Sequence, residues 1–299
     1  MAINTVQVVI NGQTHNLTYD AGSGTYKATI TAPDKSSFNQ AGGYYGVTVI
    51  ATDDGGNRVE VNDTHGTFGE DLKLVVTESN APVITVNNLT EGAHIQSNTP
   101  TIEWTVTDDD SGVDESTISI TVNSEAPVTT GFTKTPTAGG YTCSYTVPVA
   151  LSDGANVIKL DASDNDGNPA VQKTINFVVD TVSPELVINA PADNITVADT
   201  ELTISGTASD LTSEVTLTVE VNNSGPQEVP IVGGSFSTTV QLIGGVNTIE
   251  IVATDSAGKT TTITRTVTVD SVPTINSITI TPNPVEAGGT ITITVSVTD

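Results

Sequence analysis

The sequence has 299 residues, room for two or three domains on length alone. It carries 35 Asp+Glu against 9 Lys+Arg, a formal net charge of −26 that repels phosphate backbones and anionic membranes and so argues against nucleic-acid and lipid partners. A single cysteine, Cys143, excludes an internal disulfide, and no run of 18 apolar residues offers a membrane span.

Thr, Val and Ile are plentiful, there are 26 Gly and 14 Pro, and no apolar 3.6-residue periodicity persists. That pattern predicts an all-β chain, a sandwich or a string of them. Met1-Ala2-Ile3-Asn4 runs straight into a strand pattern with no charged and apolar leader before it. The expectation is synthesis in the cytoplasm without a signal peptide. The first strand is Val6–Gly12, with Val6, Val8 and Ile10 alternating. Three later stretches align without a gap, beginning at Gly43, Gly154 and Gly245. Each is a strand that ends on an aspartate, Asp53, Asp164 or Asp255, followed three residues later by Gly56, Gly167 or Gly258. This is a strand, a tight Asp/Gly turn and a return strand. A closing strand is predicted over Leu72–Thr77.

The joins repeat too. Val179-Asp180-Thr181-Val182-Ser183-Pro184 has counterparts at Val269–Pro273 and at Val76–Pro82, where Glu78 takes the acidic place. After each join a unit opens with two strands. In the second unit these are Val83–Val86 and Thr101–Thr107, the latter ending at Asp108. In the third they are Leu186–Ile188 and Leu202–Ser209, ending at Asp210. A third strand follows, Ile118–Asn123 or Leu217–Asn222. Trp104 alternates with Ile102 and Val106 and is expected in the core. Cys143, in the alternating run Tyr141–Val147, is expected to be a small buried hydrophobe. After Pro273 come two strands, Ile275–Thr281 and Thr290–Thr298, with Ile278, Ile280, Ile291, Ile293, Val295 and Val297 alternating with polar residues.

The repeat is cut out of phase. Residues 1–78 start at the third strand, and residues 271–299 hold only the first two. The predicted organisation is therefore 1–78, an immunoglobulin-like domain lacking its first two strands; 79–180 and 181–270, two complete domains; and 271–299, two strands that complete a domain like 1–78. Three completions are open: the tail of one molecule closes the N-terminal domain of the next, the two ends meet within one chain, or a different protein supplies the missing half. The short, stiff joins favour a rod, and with it the first. Ile278, Ile280, Ile291, Ile293, Val295 and Val297 would then face Val6, Val8 and Ile10 across a molecular boundary.

The segments Ala162–Asn168, Asp180–Pro184 and Thr107–Asp114 resemble bacterial immunoglobulin-like repeats, found in surface adhesins and in virion proteins of tailed phages. The resemblance covers the whole chain; Lys259 departs from it, standing where the turn usually has Asn. It implies an all-β fold of tandem immunoglobulin-like sandwiches and, without a leader, a non-enzymatic structural part of a phage or prophage tail, located in the virion and extracellular after release. The implied partners are further copies of the chain joined head to tail, or a neighbouring virion protein. An adhesin module binding host cell-wall glycan and a capsid decoration protein are the alternatives.

Sandwich geometry puts the loop after the second strand and the Asp/Gly turn at one end, beside the preceding join. Glu78 is thereby grouped with Asp108, Asp109, Asp110 and Asp164, and Asp180 with Asp210 and Asp255. Asp270 is grouped with Asp299 and with Asp53 of the next molecule. Oxygen-only clusters at a hinge suit Ca2+. The competing reading is that these aspartates only shape turns. His15, His65 and His94 are scattered, and nothing pairs two carboxylates across a cleft, so no catalytic residue is assigned.

Overall fold

The computed structural model describes residues 2–270 and 272–298. The protein is all-β, built of tandem immunoglobulin-like sandwiches. Among the described residues its only helices are two single 3-10 turns, Glu70–Leu72 and Glu115–Thr117, and no helix is long and apolar enough to cross a membrane. The chain packs as two compact units, residues 1–93, 99–151 and 155–177, and residues 94–98, 152–154 and 178–299.

The first unit opens with a six-stranded sheet. In space its strands run Thr25–Lys27, Gln13–Asp20, Ile3–Ile10, Tyr45–Asp53 and Arg58–Val61, and Lys73–Leu74 pairs with the start of Tyr45–Asp53. Asn11 and Gly12 adopt φ values of 47° and 72°, so Ile10 turns directly onto Gln13 in a two-residue hairpin. Among residues 2–78 the buried hydrophobics are Val8 and Tyr45. The strand predicted over Leu72–Thr77 shrinks to Lys73–Leu74. Beyond it the loop at Ser37 takes over the pairing: Ser37 N–H donates to Val76 O at 2.8 Å, and Val76 N–H donates to Ser37 Oγ at 3.1 Å.

Two four-stranded sheets follow. One runs Thr133–Thr137, Gly140–Thr146, Thr101–Thr107 and Val83–Val86; the other runs Ser119–Val122, Gly154–Asp161, Lys173–Val179 and Ala93–Ile95. Ile102, Trp104 and Val106 point inward from the first, and Ile120, Ile158, Leu160 and Phe177 are buried on the second. The two-residue period read from the sequence is what one buried sheet face requires.

Cys143 lies opposite Trp104 in register and is fully buried. Burial pushes its thiol up to about 11. An aromatic disulfide reagent at pH 8 should therefore leave the folded chain unlabelled over minutes, and should label one thiol per chain as soon as denaturant is added. Prompt labelling of the folded chain would contradict this packing.

The second unit holds a sandwich of similar design. One sheet runs Glu185–Ala190, Glu201–Ser209 and Ser235–Gln241; the other runs Ile195–Val197, Thr260–Val269, Gly245–Asp255, Val215–Val221 and Gln227–Glu228. Both sheets feed one core, with Leu186, Ile204 and Phe236 from the first and Leu217, Ile249, Ile251 and Val267 from the second. Ile195–Val197 pairs in parallel with the end of Thr260–Val269, a contact the sequence pattern does not announce. The unit ends in a hairpin, Thr274–Thr281 with Thr292–Thr298, in which every residue is exposed.

Candidate functional site

The Asp/Gly turn is built alike in three places and differs at one atom. Asp53 Oδ1 accepts from the backbone N–H groups of Gly55 and Asn57, and its Oδ2 accepts from Asn57 Nδ2 at 2.8 Å. These bonds, those from Asn57 above all, hold the Asp53 carboxyl below the usual carboxylate range. Asp164 repeats the arrangement with Asn168, whose N–H reaches Oδ1 and whose Nδ2 reaches Oδ2, both at 2.7 Å. Asp255 keeps the backbone bond, from Lys259 N–H to Oδ1 at 2.8 Å. Lysine at that position has no amide to offer, and Asp255 Oδ2 is buried without a hydrogen-bond partner.

Two acidic triads form at these turns, one in each unit. Glu78, Asp108 and Asp164 each bring a carboxylate oxygen within 4.8 Å of the others, and so do Asp180, Asp210 and Asp255. In the first triad Asp108 Oδ1 accepts from Asp110 N–H at 3.0 Å and Gly112 N–H at 2.8 Å, a tight loop that aims the side chain inward. Glu78 Oε1 accepts from Ser111 N–H at 2.8 Å, while its Oε2 is buried and unpartnered. In the second, Asp180 is completely buried and its Oδ2 accepts from Ser213 Oγ at 2.5 Å. Asp210 Oδ1 accepts from the N–H groups of Thr212 and Ser213 at 2.7 and 3.1 Å. Burial pushes the Asp210 carboxyl up, but the bonds from Thr212 and Ser213 outweigh it, and its pKa lies below the usual value. Among the described residues no Lys or Arg forms an ion pair with any of these six carboxylates.

The remaining acidic residues singled out in the sequence lie elsewhere. Asp110 turns away from the triad: both its carboxylate oxygens accept from Ser36 N–H, at 3.0 and 3.1 Å, and its backbone oxygen accepts from Asn39 Nδ2. Asp109 offers its backbone oxygen to Lys35 Nζ at 3.4 Å. Successive residues in a tight loop cannot all face one point, so the run Asp108–Asp110 brings one carboxylate to the triad rather than three. Asp270 is exposed and its N–H donates to Val197 O. Asp53 holds its own turn, and Asp299 lies outside the described residues.

The C-terminal hairpin pairs Ile278 with Val295 and Ile280 with Ile293. Residues directly opposite in an antiparallel pair share a face, so these four make one apolar strip. They are 43–58% exposed, and Ile291 and Val297 are 46% and 53% exposed. On the N-terminal sheet Val8 is buried, and Val6 and Ile10 are half-buried.

Ser213 and the loop at Ser36–Ser37 carried no sequence signal. Asn156 and Asn247 did, since they occupy the same place in the aligned stretches, yet the pattern gave them no role. Asn247 is fully buried. It accepts from Ile243 N–H and from Asn222 Nδ2 and donates to Ile243 O and Gly245 O. Asn156 likewise accepts from Asn123 Nδ2.

Residues 184–271 match the family model described as glucodextranase, domain B. Bacillopeptidase F of Bacillus subtilis (strain 168) is 31% identical over 114 residues, which is 38% of this chain and 8% of that protein. The PIII-type proteinase of Lactococcus lactis subsp. cremoris (strain SK11) is 27% identical over 167 residues, 53% of this chain and 8% of that protein. The matched segments thus cover less than a tenth of the length of these relatives. Among solved structures, the fibronectin(III)-like modules of Clostridium thermocellum CbhA are 19% identical, with a TM-score of 0.43, over 63% of this chain and 95% of theirs.

Proposed function

We propose that the chain is a non-enzymatic structural protein, a string of sandwich spacers that joins to further copies of itself by strand complementation. The observation supporting this is a pair of half-covered surfaces. Residues 274–298 form a ribbon exposed along its whole length, with an apolar strip of Ile and Val. The N-terminal sheet buries only Val8 and Tyr45 among the hydrophobics of residues 2–78. A lone two-stranded ribbon is marginal in water, and an open apolar edge recruits another strand. One surface offers the first two strands of a sandwich, and the other offers the strands from the third onward. Their union is strand addition. Because the two surfaces differ, the contact is heterologous and repeats into a ring or a filament.

A phage or prophage tail is the setting we favour. The likeness to short segments of bacterial proteinases supports a second one, in which the same sandwiches serve as a spacer within a much larger chain.

Light scattering during gel filtration, with electron microscopy, separates the two. The intact chain should form concentration-dependent multimers visible as end-to-end strings. Deletion of residues 274–299, or the double change Ile278→Lys and Ile293→Lys, should leave monomers whose far-UV spectrum retains the sandwiches. A full chain that stays monomeric at every concentration, or a deletion variant that still multimerises, would overturn self-complementation and leave the spacer reading.

A further inference from the structure

We infer that Asp180, Asp210 and Asp255 form a binding site for a hard divalent cation, Ca2+, and that Glu78, Asp108 and Asp164 form an equivalent site one repeat earlier. The inference is independent of how the chain ends are covered.

Distance is the first argument. Two oxygens each about 2.4 Å from one Ca2+ are at most about 4.8 Å apart. One carboxylate oxygen from each member of both triads meets that limit. The second argument is the orphaned atom. Asp255 is 5% exposed, and its Oδ2 is buried without a partner. In the sister turns the same oxygen is satisfied by Asn57 or Asn168. Lys259 has no amide to replace that donor, so Asp255, a member of the triad with Asp180 and Asp210, keeps one buried carboxylate oxygen without a hydrogen bond. In the first triad Glu78, a half-buried residue, likewise has one buried oxygen, Oε2, without a hydrogen-bond partner. A buried, unpaired carboxylate oxygen beside two further carboxylates is costly unless a cation joins them.

Chemistry then selects the ion. Neither triad contains His or Cys, which zinc and copper prefer. All the donors are carboxylates, and they come from separate loops, whose flexible geometry suits Ca2+ better than the strict octahedron of Mg2+. Position gives the consequence. Glu78 and Asp180 belong to the segments that lead from one repeat into the next, whereas their partners lie in the following sandwich. An ion would therefore fasten each join to the sandwich after it.

The test is calorimetric titration of CaCl2 into the chelator-stripped full chain, with thermal melts in Ca2+, in Mg2+ and in chelator. Two ions should bind per chain, one for each triad. Saturating Ca2+ should raise the melting temperature by roughly 5–10 °C, and equimolar Mg2+ should raise it far less. Asp255→Asn should bind one ion and lose part of the shift, and Asp255→Asn combined with Asp108→Asn should bind none. In chelator, Asp255→Asn should melt at or above the unsubstituted chain, because a repelling charge has gone; a purely structural aspartate would lower the melt in both buffers. Should Asp255→Asn fail to fold, the half-buried Asp210→Asn reports on the same site. No uptake by the folded chain, or uptake equal in every variant, would overturn the inference.

Discussion

Replacing Trp104 by alanine should destabilise the sandwich that contains it by about 3–5 kcal/mol, the usual cost of emptying a large aromatic site in a packed core. The ring is completely buried. It stacks tilted against Phe132 with ring centroids 5.4 Å apart, and Phe132 meets Tyr145 edge-on at 6.1 Å. Ile102 and Val106 flank it on the same strand and Cys143 sits opposite, so nothing small and mobile can collapse into the space. The indole N–H is buried with no acceptor. Trp104→Phe should therefore cost much less than Trp104→Ala, since phenylalanine retains most of the volume and has no donor to strand. The substitution removes the only tryptophan, so fluorescence is lost as a probe. Denaturant-dependent labelling of Cys143 replaces it: the midpoint should fall sharply for alanine and slightly for phenylalanine. Equal midpoints for the two variants would mean that the site relaxes around the hole.

Trp104 also shows why this fold could be read from its residues. Thr101–Thr107 has one face in a core and one in water, and its side chains alternate accordingly. A seven-residue run is long enough for that period to stand out. Ala93–Ile95 and Ile195–Val197 are as real in the fold but only three residues long. No period can be recognised over that span, and Ile195–Val197 exists because the end of Thr260–Val269 offers a free edge. Leu72–Thr77 alternates like a strand and still pairs over only two residues, because the Ser37 side chain and backbone occupy Val76. The acidic residues divide in the same manner. Glu78 with Asp108 and Asp164, and Asp180 with Asp210 and Asp255, sit where strand ends must gather, so their proximity follows from topology. Asp109 and Asp110 were inseparable from Asp108 in the sequence. Only the path of the loop through Gly112 decides which of the three faces inward.

Asn247 carries the second large effect: Asn247→Ala should cost the C-terminal sandwich about 2–4 kcal/mol, because several partners lose their bonds together. The residue closes a small circuit. Asn222, in the left-handed region at φ 50°, uses its Oδ1 to accept from Thr248 N–H at 2.8 Å and its Nδ2 to reach Asn247 Oδ1 at 2.7 Å. Asn247 then binds both the N–H and the carbonyl of Ile243, fixing the turn before Gly245–Asp255. Asn123, at φ 53°, makes the matching bond to Val157 N–H and reaches Asn156. The N-terminal sheet departs from this plan. Tyr45 stands at the aligned position and donates its hydroxyl to Lys35 O, while Asn11 makes a plain two-residue hairpin with Gly12. The clamp therefore accompanies a two-sheet core and is missing where only one sheet is present. Asp255 lies at the far end of the same strand, so the effect should stay local to this sandwich. In a thermal melt, far-UV dichroism of Asn247→Ala should reveal an early transition, while Trp104 fluorescence and Cys143 protection hold at the temperature of the unsubstituted chain. Simultaneous loss of all three signals would instead mean that the sandwiches unfold as one cooperative body.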